Sequence, residues 1–296
     1  MSIKRRFLIF AVIFAFIFSL VFVFSGNEAF AESDMPFYDL MPKEIVLRSE
    51  FYTNYSNSSS ERKNNISVAA KALDKTFIDV GGEFSFNRAV GPRTEKRGYK
   101  SAKIIVNGEF TDGVGGGVCQ VSTTLYNAFL LAGLRITEYH PHSLAVSYVA
   151  LSFDAMVNSG SADLRCVNVT KNPIIIRTFA DGNALRVKIY GEPMREKYYR
   201  ESVTIKEIEP TVEILKDEAG EFNDLYEGQR RVLSYGKKGY VTEGYVVKTV
   251  NGRQISRTRI RKDRYGSIKS VIIEGTKEID EERKNEARKE ETDING

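Results

Sequence analysis

The chain has 296 residues, of which 42% are hydrophobic and 28% are charged. These shares are ordinary for a soluble globular protein and exclude a chain too polar to bury a core. The length suits two modest domains behind a targeting segment. The formal net charge of +4 is too small to indicate a nucleic-acid-binding protein.

Residues 1–31 are typical of an export signal rather than of a fold. A basic stretch at 4–6 precedes an apolar run over 7–24, and the small-residue pattern Ala29-Phe30-Ala31 resembles a signal-peptidase site. The 18 apolar residues also suffice to span a bilayer, so an uncleaved N-terminal membrane anchor stays open. Both alternatives place the protein, secreted or membrane-anchored, on the extracellular face of the cell envelope.

The first elements of the exported chain follow a polar leader over 32–43. Alternation of residue types predicts a strand over 44–53, and Ser and Asn favour turns over 54–65. Apolar residues then recur at helical spacing over 65–77, which predicts an amphipathic helix that ends before Gly81-Gly82.

A hairpin and a glycine-rich run come next. Asn107-Gly108 between two extended segments predicts a β-hairpin, and a helix over 121–132 follows the glycines and ends at Gly133. Cys119 therefore lies at the mouth of a helix, where unpaired backbone N–H groups favour the thiolate. The alternative is a small packing cysteine after a tight glycine turn.

The rest of the chain is rich in strand patterns. Extended segments dominate 136–190, so residues 44–194 are predicted to form an α+β domain in which the Cys-bearing helix packs on a mostly antiparallel sheet. A charged linker over 195–201 leads to a small all-β module over 202–276. The tail over 277–296 is charged, and we expect it to be disordered or a solvated helix.

The two cysteines allow a second interpretation. Cys166 lies in a strand-like segment, and in an exported protein a Cys119–Cys166 disulfide would abolish a thiol nucleophile. The two cysteines and two histidines do not show the paired spacing of a zinc site, so we expect no metal and no cofactor.

Several separate motifs occur in an order that resembles the VanW family, which is named for a vancomycin-resistance accessory protein. They are Phe84-Ser85-Phe86-Asn87, Gly91-Pro92-Arg93-Thr94, Gly98-Tyr99, the run from Gly115 to Ala128, His142-Ser143 and Asp154-Ala155-Met156-Val157. The resemblance extends over about 44–193. Two positions depart from the family pattern: Pro141 precedes the His-Ser pair, and Cys166 stands where an aromatic residue is common, which favours a packing role for it.

The module over 202–276 resembles the G-five (G5) domain, which is named for five glycines. The matching positions are Gly228, Gly236, Gly239, Gly244 and Gly275. The resemblance implies a surface protein that binds or acts on the cell wall, with N-acetylglucosamine as a proposed ligand of the G5 domain. Membrane contact is then expected only through the apolar N-terminal segment.

A candidate catalytic triad follows from residue type, chain order and the family motifs. A thiol nucleophile needs a base, and His142 is favoured because it matches the His-Ser pair of the family. Asp154 lies in an otherwise apolar segment over 151–157, predicted to be a strand, where a carboxylate needs a partner. Cys119, His142 and Asp154 would perform acyl transfer through a thioester.

Other residues near the cysteine are candidates for binding substrate. They are Gly115, Gly116, Gly117, Gln120, Ser122, Thr123 and His140. Hydroxyl groups in the first helical turn also commonly cap backbone N–H groups, and His140 also reads as an exposed imidazole.

Two classes of function remain open at this stage. One is a cysteine peptidase, amidase or transpeptidase that acts on peptidoglycan and is targeted by the G5 domain. The alternative is a noncatalytic cell-wall or glycan-binding accessory protein related to glycopeptide resistance, in which the helix start holds an anionic group or tyrosines of the second module stack on sugars.

Overall fold

The computed structural model describes residues 45–106 and 108–278, which belong to one compact unit. The expected export segment over 1–31, the leader over 32–43 and the tail beyond 278 lie outside these described residues. Among the described residues, no helix has the length and apolar character needed to cross a membrane.

The described residues contain few helices and many strands. The helices are α1 (Ser60–Leu73), α2 (Phe86–Val90) and α3 (Val118–Leu131), with a 3₁₀ turn at Glu95–Arg97. The first nine strands are β1 (Val46–Asn54), β2 (Thr76–Ile78), β3 (Glu83–Ser85), β4 (Ser101–Val106), β5 (Glu109–Val114), β6 (Arg135–Glu138), β7 (Arg165–Val167), β8 (Ile174–Ala180) and β9 (Ala184–Gly191). The remaining strands are β10 (Glu196–Ile208), β11 (Val212–Lys216), β12 (Arg230–Ser234), β13 (Gly239–Val250), β14 (Arg253–Tyr265) and β15 (Ser270–Glu274). We call residues 45–194 the N-terminal domain and residues 195–278 the C-terminal domain.

The N-terminal domain is built on a four-stranded antiparallel sheet of order β1-β9-β8-β2. Helices α1 and α3 pack against it and against each other. The apolar side chains between these layers are fully buried, among them Ile66, Leu125, Phe129 and Val187. A smaller sheet of order β3-β7-β6 and the β4-β5 hairpin complete the domain, and the hairpin agrees with the prediction from Asn107-Gly108.

Helix α1 begins and ends earlier than the predicted range of 65–77. The Ser59 side chain accepts a hydrogen bond from the Arg62 backbone N–H and so caps the helix at its start. The helix ends at Leu73 because Lys75 adopts a left-handed conformation with φ of 63°. The last residues of the predicted helix form β2, which pairs with β8.

Two glycines shape the approach to α3. Gly117 occupies the N-cap with φ of 108°, a conformation that few other residues adopt. A Cβ at Gly116 would lie 2.7 Å from the carbonyl oxygen of Lys103 and 2.8 Å from that of Ala102. The helix start therefore packs directly on the β4 backbone, and this contact determines where Cys119 lies.

The segment over 151–157, predicted to be a strand, forms no ladder with any described strand. Its backbone is instead hydrogen-bonded to side chains. Thr123 Oγ1 accepts from the Ala155 N–H at 2.9 Å, Asn127 Nδ2 donates to the Phe153 carbonyl at 2.8 Å, and Ser122 Oγ donates to the Ala155 carbonyl at 2.5 Å. These bonds satisfy the peptide groups that a neighbouring strand would otherwise satisfy.

The C-terminal domain consists of two three-stranded sheets. One has the antiparallel order β10-β13-β14, and the other has the order β11-β15-β12 with β11 parallel to β15. Residues 196–201, expected to be part of a linker, instead form the first half of β10 and pair with β13. The chain thus passes from one domain to the other within a strand.

We expect Gly116→Ala to destabilise the protein by about 1–3 kcal/mol, because the added methyl group would overlap backbone atoms of β4. Gly160→Ala is the matched control: a Cβ there meets no atom within 4 Å, and its φ is not positive. Urea unfolding measures both variants. Equal stability of the two variants would contradict this account of the helix start.

Candidate active site

Cys119 is the second residue of α3 and lines a cleft of about 1310 Å³. Its side chain is half-buried, and its Sγ lies 3.3 Å from the Val157 carbonyl oxygen. Because the first-turn N–H groups of a helix lack intrahelical partners, this position favours negative charge on sulfur. The thiol is thus both accessible from the cleft and placed at a helix start.

His142 is oriented by Asp154. The Oδ2 atom of Asp154 accepts hydrogen bonds from the backbone N–H and from Nδ1–H of His142, both at 2.7 Å. Since the carboxylate accepts at Nδ1, the remaining ring nitrogen, Nε2, is left for Cys119, which lines the same cleft and interacts electrostatically with His142. The structure therefore brings the three residues of the candidate triad together in the order Cys119, His142, Asp154.

The charges of this pair favour a thiolate beside an imidazolium. Burial acts to raise the pKa of the Cys119 thiol, but the hydrogen bond and positive charge of His142 outweigh it and bring the pKa below its ordinary value. Burial acts against protonation of His142, but its bonds to Asp154 and Cys119 raise its pKa to about 9. Shifts in these directions are the ones that a thiol nucleophile requires.

Asp154 is also held by the C-terminal domain. Its Oδ1 accepts from the Tyr265 hydroxyl at 2.5 Å and from Arg261 Nη2 at 3.2 Å, and its carbonyl accepts from Arg261 Nη1 at 2.6 Å. Burial acts to raise the pKa of this carboxyl, but bonds and charges from His142, Arg261 and Tyr265 hold it below its ordinary value. Both domains therefore keep Asp154 ionised.

Arg261 and Tyr265 are themselves fixed in place. The fully buried Arg261 side chain donates from Nε to Asp263 at 2.6 Å and lies over the Tyr139 ring at 4.5 Å. The Tyr265 oxygen also accepts from the backbone N–H of Ser152 at 2.9 Å. Residues 261, 263 and 265 alternate along β14 and share one face, a pattern visible in the sequence, but no sequence signal assigns that face to Asp154.

Three of the predicted substrate-binding residues have structural partners instead. Ser122 and Thr123 are fully buried and hold the backbone of the Asp154 segment. His140 pairs with Glu138 at 2.9 Å and does not line the cleft. None of these three residues is among those that line the cleft.

The remaining predicted positions lie at the helix mouth. Gly115, Gly117 and Gln120 line the cleft, whereas Gly116 is buried against β4. The Gln120 side chain accepts from Arg62 at 2.8 Å and donates to Thr53 and to the Asn54 carbonyl, so its amide is already fully used.

Tyr148 also lines the cleft and is not among the residues predicted from the sequence. Burial raises the pKa of its phenol, with the charge of Cys119 acting in the same direction, so the hydroxyl stays protonated and can donate. It also forms a hydrogen bond with Thr123. No motif marks Tyr148, because its role depends on a loop without regular secondary structure.

Cys166 lies in a different environment from Cys119. It is fully buried in β7, where it pairs with Phe84 of β3, and burial raises the pKa of its thiol to about 12. Both cysteines are free, so the structure contains no Cys119–Cys166 disulfide.

Among the described residues there is also no group of three or more His, Cys, Asp or Glu residues arranged to hold a metal ion.

The fold and site define a two-domain protein with a Cys-His-Asp arrangement at the domain junction. Residues 61–190 match the family model described as VanW like protein, and residues 199–277 match the G5 domain. The chain therefore contains a region similar to VanW like proteins followed by a region similar to the G5 domain, which confirms the resemblance. These two domains indicate a cell-wall-associated protein.

Similar proteins include YoaR of Bacillus subtilis (strain 168), which is 38% identical over 180 residues, or 59% of each chain. The vancomycin B-type resistance protein VanW of Enterococcus faecalis (strain ATCC 700802 / V583) is 28% identical over 141 residues, or 46% of this chain and 51% of that one. The chain thus spans between half and three fifths of these relatives. A solved IgA1 protease G5 domain is 26% identical over 30% of this chain and 100% of its own, with a TM-score of 0.19.

We expect iodoacetamide to modify Cys119 with an apparent pKa below that of an ordinary thiol, which is about 8.5. His142→Ala should move this midpoint upward and slow modification at pH 7 by about tenfold or more, because the thiolate loses its cationic partner. The rate measured by mass spectrometry against pH tests this. His140→Ala is the matched control and should leave the profile unchanged; a profile equal to that of Cys166 would contradict the expectation.

We expect Arg261→Gln to destabilise the protein by about 3–5 kcal/mol, because it leaves the buried carboxylates of Asp154 and Asp263 without their cation. Arg259→Gln is the control, because Arg259 lies two residues away on β14 and forms a half-exposed ion pair with Glu243. Loss of that pair should lower the free energy of unfolding by about 1 kcal/mol at most. Urea unfolding of the whole chain compares them. Equal losses would show that the interdomain pair does not stabilise the fold.

Proposed function

We propose that the protein is an exported cell-envelope enzyme that performs acyl transfer on peptidoglycan peptides through Cys119. The observation that carries this proposal is a cleft-facing thiol at a helix start together with a buried imidazole that lines the same cleft and is hydrogen-bonded to a buried carboxylate. A structural cysteine needs none of these partners, whereas a thiol nucleophile is commonly activated by an adjacent base that a third group orients.

The chemistry begins with the Cys119 thiolate attacking the carbonyl carbon of a peptide bond in the cleft. The tetrahedral oxyanion is stabilised by the Cys119 backbone N–H at the helix start, and the Tyr148 hydroxyl is a second candidate donor. Collapse of this intermediate breaks the C–N bond, and the leaving amine takes the proton from His142. The acyl group is then held as a thioester.

The thioester is resolved by a second nucleophile. Water gives hydrolysis, and an amine of another peptide gives transpeptidation. In both cases neutral His142 accepts the proton of the attacking group, the C–S bond breaks, and the thiolate beside the imidazolium is restored. Asp154 keeps Nδ1 protonated throughout, so Nε2 always faces the sulfur.

The cell wall is the proposed location of the substrate. Both matched domains support it, and so does the relative whose name records vancomycin resistance. The N-terminal segment over 7–24, in the role of signal or anchor, would deliver the protein to the outer face. The G5 domain would then bind glycan, with N-acetylglucosamine as the proposed ligand.

A noncatalytic cell-wall-binding protein is the second candidate function. The match to the G5 domain favours it, and Tyr235 of that domain is 82% exposed, as a side chain that stacks on a sugar would be. In this alternative the cleft holds a wall peptide without cleaving it.

We expect wild-type protein incubated with peptidoglycan to release or cross-link peptides detectable by mass spectrometry. Cys119→Ala should abolish the conversion, because no other described thiol faces the cleft. Cys166→Ala is the matched control and should retain activity. Binding to the wall without conversion by the wild-type protein would favour the second candidate, and activity of Cys119→Ala would overturn the proposed mechanism.

A further inference from the structure

The cleft around Cys119 is lined by positive charge. Among the described residues that line it, five carry a cationic side chain and none is Asp or Glu; the five are Arg62, Arg93, Lys103, Lys237 and Arg264. Charges of one sign along the walls of a cleft concentrate ligands of the opposite sign. An anionic group is therefore the favoured occupant.

The two guanidinium groups of the N-terminal domain are held by neutral partners. Arg93 donates from Nη2 to Asn87 Oδ1 at 2.6 Å and lies over the Phe86 ring at 5.7 Å. Arg62 donates to Gln120 Oε1 at 2.8 Å. Neither forms an ion pair with a described residue, in contrast to the buried Arg261 with its two carboxylates. Their side chains are thus oriented while their charge remains available.

The C-terminal domain contributes the remaining uncompensated charge. Lys237 is exposed, and its backbone pairs with Ile268 in both directions at 2.9 Å, which fixes its position. Arg264 is exposed on β14, next to Tyr265. Neither side chain forms an ion pair with a described residue, whereas Lys103 already pairs with Asp112. The G5 domain therefore forms part of the cleft wall.

We propose that the cleft binds a peptide bearing a free carboxylate as the acyl substrate, and that Arg93 together with Lys237 and Arg264 of the G5 domain binds that carboxylate. This inference rests on the proposed function, since a peptide that acylates Cys119 occupies this cleft and would place its free carboxylate among these cations. Guanidinium groups suit carboxylates because their two N–H donors match the two oxygens. The G5 domain is then a substrate-binding wall as well as a glycan-binding module.

Two alkylating reagents of the same reactivity type but different charge test the inference. Iodoacetate carries a carboxylate, and iodoacetamide is neutral. We define the ratio as the rate with iodoacetate divided by the rate with iodoacetamide. At Cys119 this ratio should exceed that of a free thiol by about fivefold or more at low salt, and it should fall as salt is added. Arg93→Gln and the double variant Lys237→Gln/Arg264→Gln should each lower the ratio.

Lys238→Gln is the matched control. Lys238 neighbours Lys237 but is paired with Glu207 and Glu209 and does not line the cleft, so the ratio should not change. A wild-type ratio equal to that of a free thiol overturns this inference. The proposed function has a separate test in the conversion of peptidoglycan peptides by wild-type protein and not by Cys119→Ala, so the two failures are distinguishable.

Protection experiments separate carboxylate from other anions. Alanyl-alanine with a free C-terminal carboxylate should protect Cys119 from iodoacetamide at a concentration at least about tenfold lower than its C-terminal amide does. Inorganic phosphate represents the phosphate-rich polymers of an envelope. Protection by phosphate that equals or exceeds protection by the peptide acid would overturn the assignment of a carboxylate ligand.

Discussion

The buried carboxylate of Asp154 is the constraint on which the rest of this structure depends. An ionised group is expensive to remove from water unless donors replace its hydration. Here the donors are the backbone and ring of His142 and the side chains of Arg261 and Tyr265. Because these donors come from both domains, the same carboxylate orients the imidazole of His142 and joins the two domains.

The same constraint explains the loop that carries Asp154. A strand in a sheet would have satisfied its own backbone, but it would also have placed a ladder neighbour where α3 and β14 now meet it. The buried hydroxyl and amide groups of α3 take the place of that neighbour. Polar residues inside a core are tolerated when each has a partner, and here they hold the Asp154 segment against α3.

The sequence predicted those features that have local patterns. Neighbouring residues suffice to predict a helix after the glycine run and a hairpin at Asn-Gly. Both elements are present, although the helix begins at Val118, three residues before the predicted start, and so includes Cys119. Chain order and family motifs predicted that His142 and Asp154 belong to a candidate triad with Cys119.

The features that local sequence patterns did not indicate depend on contacts between distant residues. Thr123 bonds to a residue 32 positions away, and Arg261 to one 107 positions away. No periodicity records such pairs. Ser122 and Thr123 were therefore expected to bind substrate, and residues 196–201 were expected in a linker, although they lie in β10. In both cases a partner elsewhere in the chain covers a segment that the sequence pattern alone presents as exposed.

The shared burial of Asp154 has a consequence for how such proteins can recombine. Family boundaries drawn along the chain suggest two parts that evolution could exchange freely. The contact across the junction opposes such an exchange. A G5 domain without an arginine and a tyrosine at the positions of Arg261 and Tyr265 would leave the Asp154 carboxylate buried without these donors. This junction therefore favours inheritance of the two domains together.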